Sequence, residues 1–80
     1  MKQVITMPQL SDDMKTGILA AWNKKKGDVV KKGDVLYELE SSKVVSEIES
    51  DVDGILTDIY YEEGDEVEVN QPVAVISSND

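Results

Sequence analysis

The chain has 80 residues, with 17 acidic side chains against eight lysines and a formal net charge of −9. It contains neither Cys nor His, which excludes disulfides, Cys/His zinc sites, cysteine nucleophiles and Ser-His-Asp triads. The charge disfavours nucleic acid and anionic membranes as partners, and no apolar run approaches the roughly 20 residues of a membrane span. The composition therefore predicts one small globular domain, expected to be cytoplasmic, monomeric in isolation and without a metal site.

Short segments rich in Val and Ile, bounded by Gly-Asp, Asp-Gly and Asn-Gln-Pro turns, predict strands rather than helices. The predicted strands are Gln3–Met7, Gly17–Lys25, Val35–Ser41, Val44–Ser50, Gly54–Tyr61 and Val73–Ser77, with short extended pieces at Val29–Val30 and Val67–Glu68. Turn signals about every ten residues are typical of an all-β sandwich or barrel.

An internal repeat supports this architecture. When the chain is shifted by 37 residues, Gly17-Ile18-Leu19 falls on Gly54-Ile55-Leu56, and Gly27-Asp28 falls on Gly64-Asp65. Two similar halves can enclose one core between two sheets. The sequence therefore predicts a flattened β-barrel or sandwich of two four-stranded antiparallel sheets with pseudo-two-fold symmetry.

Strand alternation within this repeat predicts which side chains fill the core. The expected core residues are Ile18, Ala20, Trp22, Val30, Leu39, Ile48, Ile55, Ile59, Val67 and Ile76. The two halves differ in charge, with lysines at 24–26 and 31–32 in the first and mainly glutamates at the equivalent positions of the second. We interpret these segments as solvated turns of opposite sign.

The two halves are joined by a predicted hairpin with its turn at Ser42-Lys43. A two-residue hairpin favours Asn-Gly or Asp-Gly, because its turn needs positive φ angles. Either a type I turn is used there, or Lys43 is present for its chemistry. A calcium loop at Asp51-Val52-Asp53-Gly54 is disfavoured, since an EF-hand needs its glycine in the sixth place.

These features together resemble the biotinyl/lipoyl-carrier family, and within it the lipoyl domains of the acyltransferase components of 2-oxo acid dehydrogenase complexes. The matching segments are Met7-Pro8-Gln9-Leu10-Ser11 with Met14, Gly17, Ile18 and Trp22, then Lys26–Val30, Gly33–Leu36, Glu38–Glu40 and Glu63–Val67. The resemblance runs from about Val4 to Ile76. It predicts a lipoyl domain at residues 1–77, with 78–80 as the start of a linker or tail.

The resemblance implies that lipoic acid is attached to Lys43 in amide linkage. It also implies that Gly27, Glu40 and Glu47 are recognised by the enzyme that attaches it, a lipoate ligase or lipoyl transferase. The family usually has Asp before the modified lysine, where this chain has Ser42. Ser42, together with Asp12 and Asp13 of the Pro8–Thr16 loop, is the expected surface for partner recognition.

By this resemblance the domain is a non-catalytic swinging arm that carries acyl groups and electrons. Its implied partners are a thiamine-diphosphate-dependent 2-oxo acid dehydrogenase, the acyltransferase core and dihydrolipoamide dehydrogenase. The opening Met-Pro pattern favours a pyruvate- or acetoin-type complex weakly. Two alternatives stay open: a biotinyl carrier of a carboxylase, which would place Met on both sides of the lysine, and an unmodified protein-interaction module.

Overall fold

Eight strands form from the β-branched segments, and turn residues separate them. In this computed structural model, which describes residues 1–42 and 44–78, the strands are β1 Lys2–Thr6, β2 Thr16–Trp22, β3 Val29–Val30, β4 Val35–Ser41, β5 Val44–Glu49, β6 Gly54–Ile59, β7 Glu66–Glu68 and β8 Pro72–Ser77. The predicted strands from Gly17 and Gly54 are shorter than expected, since they end at Trp22 and Ile59. Among the described residues no helix is long and apolar enough to cross a membrane.

The strands form two four-stranded antiparallel sheets, as predicted. One has the order β1-β8-β6-β3 and the other β5-β4-β2-β7. A shift of 37 residues relates β2 to β6, β3 to β7 and β4 to β8, so the two orders are the same pattern used twice. The predicted pseudo-two-fold symmetry is confirmed.

Hydrogen bonds between the two halves follow the same symmetry. Gly27 N–H donates to the Leu56 carbonyl at 2.6 Å, and Leu56 N–H donates to the Asp28 carbonyl at 3.0 Å. The equivalent pair runs from Gly64 N–H to Leu19 at 2.7 Å and from Leu19 N–H to Asp65 at 3.0 Å. A leucine backbone in each half therefore forms hydrogen bonds with the turn of the other half.

The core differs from the prediction in which face of two strands points inward. Ile18, Ala20 and Ile55, predicted as core, are exposed, whereas Leu19 and Leu56 are fully buried. The register of β2 shifts between Leu19 and Ala21, and that of β6 between Leu56 and Asp58. Because a β-bulge moves the following side chains to the opposite face, Leu19 and Trp22 both point towards the core. The same holds for Leu56 and Ile59.

The other core predictions hold. Val30, Leu39, Val67 and Ile76 are buried, and Trp22, Ile48 and Ile59 are partly buried and pack against the core. Sequence alternation missed several interior side chains, namely Met7, Met14, Leu36, Tyr37, Val73 and Ala74.

The strand registers place the β4–β5 turn and the Met1–Ser78 pair at opposite ends of a molecule 36 Å long. Near the turn, Ile18 of β2 pairs with Glu40. At the same end, backbone hydrogen bonds join Val69 to Lys15 and Asn70 to Met7. The nearby Thr6 and Pro72 pair at the end of sheet β1-β8-β6-β3 that is remote from the Lys2–Ser77 pair. The turn therefore points away from the end that holds Met1 and Ser78.

Candidate functional site

The β4–β5 hairpin is the element that carries the predicted attachment lysine. Tyr37 and Leu39 of β4 are buried, while Glu40 is exposed. The ladder with β5 runs from Val35↔Glu49 to Ser41↔Val44, which leaves two residues, 42 and 43, to connect the strands. Lys43 itself lies outside the described residues.

The turn is defined by Ser42. Its φ of 51° is left-handed, whereas the first central residue of a type I turn has a φ near −60°. A type I turn is therefore excluded, and the positive φ is typical of the primed turns that match strand twist. Ser42 and Val44 are both exposed, Val44 to 62%, so the residues flanking the predicted attachment point face solvent.

The Pro8–Thr16 loop lies beside the hairpin turn, as expected. A shallow cleft of about 360 Å³ separates them, lined on one side by Asp13 and Lys15 and on the other by Glu40 and Ser42. Asp13 accepts a hydrogen bond from the Ser11 hydroxyl at 2.9 Å. Asp12 is exposed on the same loop but does not line the cleft.

Buried methionines hold this loop against the barrel. Met7 and Met14 are buried, and Met14 Sδ accepts a hydrogen bond from Leu10 N–H at 3.2 Å. Both side chains pack where Gly17 lacks a Cβ atom. The loop is therefore fixed at its two ends, while Asp12 and Asp13 are presented to solvent between them.

The two glutamates predicted for ligase recognition lie on one surface. Glu40 is opposite Val45, and Glu47 is opposite Glu38. Both are exposed and point away from the core.

They belong to a larger acidic face on the outer side of sheet β5-β4-β2-β7. Its six glutamates are Glu38, Glu40, Glu47, Glu49, Glu66 and Glu68. Apart from a 2.9 Å hydrogen bond from the Thr16 hydroxyl to Glu66, these carboxylates form no hydrogen bond or ion pair with side chains or backbone within residues 1–42 and 44–78. In the sequence, these glutamates alternate with apolar residues along the strands, and this alternation is the signal that predicts an acidic face.

Gly27 is not brought to the hairpin turn. It lies in the β2–β3 turn with a φ of 97° and hydrogen-bonds to Leu56 of the other sheet, in the half of the molecule that holds the termini. Its equivalent, Gly64, has a φ of 91°. Because an L side chain is strained in this region, backbone geometry alone accounts for glycine at both positions.

Among the described residues, Asp34 and Tyr37 have shifted pKa values. Backbone hydrogen bonding from Lys31, assisted by Lys24 at 3.4 Å, lowers the pKa of Asp34. Burial raises the pKa of Tyr37 to about 12.

The arrangement around the turn can present a side chain to solvent at the end of a paired hairpin.

Comparisons with known proteins agree with this geometry. A family model described as "Biotin-requiring enzyme", the biotin/lipoyl family, matches residues 3–76. The succinyltransferase component of the 2-oxoglutarate dehydrogenase complex of Staphylococcus saprophyticus is 40% identical over 72 residues. The acetyltransferase component of the pyruvate dehydrogenase complex of Rickettsia typhi is 46% identical over 74 residues. These alignments cover 90% and 91% of the chain but only 17% and 18% of the relatives.

Solved structures share the fold. The lipoyl domain of the Azotobacter vinelandii 2-oxoglutarate dehydrogenase complex superimposes with a TM-score of 0.80 at 29% identity, covering 94% of this chain and 95% of that one. The urea carboxylase of Kluyveromyces lactis gives 0.79 at 25% identity, covering 96% of this chain and 6% of that one. The fold is thus found in both a lipoyl domain and a urea carboxylase, whereas the curated relatives named above are dihydrolipoyllysine acyltransferases. The chain belongs to the biotin/lipoyl family.

Proposed function

We propose that this chain is a lipoyl carrier domain and that Lys43 is its attachment residue. The observation that carries the proposal is the two-residue connection between Ser41 and Val44, at the end of the molecule remote from the Lys2–Ser77 pair. The names of the dihydrolipoyllysine relatives support lipoate as the attached group. The Lys43 amine would form an amide with the lipoate carboxyl group.

The residues around the turn fit such a group. Exposed neighbours at Ser42, Val44 and Val45 leave the approach to the lysine open. The paired hairpin ladder and the loop held by Met14 form the base of the proposed arm. At ordinary bond lengths the lysine and lipoyl chain together reach roughly 14–15 Å.

Bound lipoate supplies a strained cyclic disulfide that is readily reduced and acylated. The domain's own contribution is to hold this group out in solvent on a tether, which makes successive visits to different active sites effectively intramolecular. No side chain of the domain is assigned an acid-base role.

The partners follow from this role. We propose a thiamine-diphosphate-dependent 2-oxo acid dehydrogenase, an acyltransferase core and dihydrolipoamide dehydrogenase, with a lipoate ligase or lipoyl transferase acting on Lys43. The relatives belong to both pyruvate and 2-oxoglutarate complexes, and the opening motif weakly favours a pyruvate- or acetoin-type complex. The exposed Glu40 and Glu47 are available to the attaching enzyme. Ser42, Asp12 and Asp13 are available to the dehydrogenase.

A biotinyl carrier is the second candidate, because the urea carboxylase shares the fold. Ser42 and Val44 occupy the places where biotin carriers have Met, which favours lipoate.

Intact-mass measurement separates the candidates. The protein is co-expressed with a lipoate ligase and a biotin ligase in cells supplied with both acids. We expect the mass of one lipoyl group, its loss in Lys43→Arg, and no loss in the matched control Lys15→Arg. A biotin adduct would favour the second candidate. An unmodified wild-type chain, or lipoate retained in Lys43→Arg, would overturn the assignment.

A further inference from the structure

The outer face of sheet β1-β8-β6-β3, here called the apolar face, exposes large hydrophobic side chains. Val4, Val29, Ile55 and Tyr60 are 51%, 64%, 45% and 54% exposed. The register aligns Val29 with Ile55, and Val4 lies with Tyr60 beside a common depression. These side chains therefore form two neighbouring pairs rather than being scattered singly, the pattern that marks an interaction site.

The internal symmetry provides a comparison for this face. Val29 is equivalent to Glu66 of the acidic face. Val4 is equivalent to Glu47, since Val4 pairs with Val75 as Glu47 pairs with Glu38. The same strand positions thus carry glutamate on one sheet and valine on the other. Because the equivalent positions of the acidic face carry charged side chains, the fold does not require valines at these positions. Their apolar character therefore needs an explanation other than folding.

A groove lined partly by lysines adjoins the apolar face at Val29 and Ile55. It has a volume of about 570 Å³ and is lined by Val29, Val52 and Ile55 together with Lys31 and Lys32. Lys24 Nζ lies 3.5 Å from the Val29 carbonyl at its edge. The groove therefore combines an apolar floor with ammonium groups.

Two of the aspartates near these lysines accept backbone hydrogen bonds, and one of the two, Asp53, lines the groove. Asp34 accepts a hydrogen bond from Lys31 N–H at 2.9 Å, and Asp53 accepts one from Lys32 N–H at 2.6 Å. Asp51 also lines the groove. Within the described part of the chain, the Lys31 and Lys32 ammonium groups form no ion pair, so they are available to an acidic ligand.

We propose that this groove is a docking site for an acidic peptide segment of a partner protein, one in which carboxylates alternate with aliphatic side chains. The aliphatic groups would cover Val29 and Ile55, and the carboxylates would meet Lys31 and Lys32. The acidic face is on the other sheet, and stacked sheets are about 10 Å apart. At physiological salt, repulsion over such a distance is largely screened. Since the groove is at the end remote from the β4–β5 turn, its occupant leaves the turn accessible.

The proposal is tested by NMR titration of the isotopically labelled domain with a synthetic heptapeptide of alternating Asp and Leu. We expect saturable amide shifts at Val29, Lys31 and Ile55, with none at Ser42 or Val44, and weaker binding as salt is raised. Peptides with Ser replacing Leu, or Lys replacing Asp, should bind at least about tenfold more weakly.

Variants provide matched controls. Ile55→Ser and Lys32→Glu should each weaken binding about tenfold, whereas Ile18→Ser, at the position equivalent to Ile55, and Lys15→Glu should leave it unchanged. A conserved amide spectrum establishes that each variant is folded. The proposal is wrong if no saturable shift occurs at millimolar peptide, if the Ser peptide binds equally well, or if the shifts cluster at the β4–β5 turn.

Discussion

Gly27 and Gly64 occupy equivalent positions in the two halves, each in a left-handed turn whose N–H bonds to a leucine of the opposite half. An added Cβ at either position would meet no atom within 4 Å. The two glycines thus face the same backbone requirement, and only one of them has been predicted to take part in ligase recognition.

This equivalence makes a controlled test of Gly27 possible. Gly27→Ala and Gly64→Ala should each lower the free energy of unfolding by about 1–2 kcal/mol, the cost of a left-handed L residue. Urea denaturation measures this loss. If the attaching enzyme recognises Gly27, lipoylation should slow only in Gly27→Ala. Equal rates in the two variants would assign Gly27 to the turn alone.

Gly17 and Gly54 are also equivalent, but their surroundings predict unequal costs for alanine. A Cβ at Gly17 would meet the end of the Leu39 side chain, which can rotate, whereas at Gly54 it would meet the backbone carbonyl of Ser77. Gly54→Ala should therefore destabilise the domain by about 2 kcal/mol more than Gly17→Ala, since backbone must shift to relieve the overlap. Thermal unfolding of both variants checks this order, and equal losses would contradict it.

Tyr37 is fully buried with its ring 4.9 Å from that of Trp22, and its hydroxyl has no hydrogen-bond partner among the described residues. Tyr37→Phe should therefore raise the free energy of unfolding by about 1 kcal/mol, because a buried unpaired polar group is removed. Chemical denaturation at neutral pH measures the difference. A loss of stability would indicate a partner for the hydroxyl.

The same residue predicts a pH dependence. Burial raises the pKa of Tyr37 from about 10 to about 12, so the folded state retains the proton that the unfolded chain releases. Stability from this group is fully present below pH 10 and is lost as pH rises through 12. The wild type should lose stability over this range relative to Tyr37→Phe, and parallel curves would argue against the shift.

Two substitutions at Ser42 distinguish a role in backbone conformation from a role of charge at the turn. Asn and Asp both tolerate its left-handed φ better than Ser, so Ser42→Asn and Ser42→Asp should change stability by no more than about 0.5 kcal/mol. Only Ser42→Asp adds a charge beside the proposed lipoyl-lysine. If the dehydrogenase recognises that charge, only Ser42→Asp should alter reductive acylation, and the effect should fade with salt. Equal rates for all three proteins at low salt would assign Ser42 to turn geometry alone.

The sequence predicted the strands and the two-fold because glycines and Gly-Asp turns recur at a constant shift of 37 residues. It did not predict the bulges after Leu19 and Leu56, since an extra residue in a strand leaves no mark in composition. Assigning Trp22 to the core by strict alternation therefore placed Ile18 and Ala20 inside. The burial of Tyr37 was also missed, because Leu36 and Tyr37 are adjacent and both point inward across a further register shift.

At the site, the sequence predicted the β4–β5 hairpin correctly, but not the conformation at Ser42. Serine carries no strong preference for positive φ, so the ladder register on either side determines the turn. The difference between the acidic face and the apolar face was not predicted either. It becomes apparent only when Val29 is compared with Glu66, its equivalent in the second half.

Met1 and Ser78 are joined by backbone hydrogen bonds of 2.7 and 2.9 Å at the end remote from the turn. A polypeptide can thus enter and leave this domain at one point. The domain is therefore suited to insertion into a surface loop of an unrelated host protein, and to circular permutation. In such a permutant the chain would be opened between Ser41 and Val44, and the present ends would be linked through a short turn. The new hairpin would then lie at the opposite end of the molecule. A lysine placed in that new turn would test what the attaching enzyme recognises. Modification of this lysine would indicate recognition of the backbone shape common to both halves, and no modification would indicate recognition of side chains found in one half only.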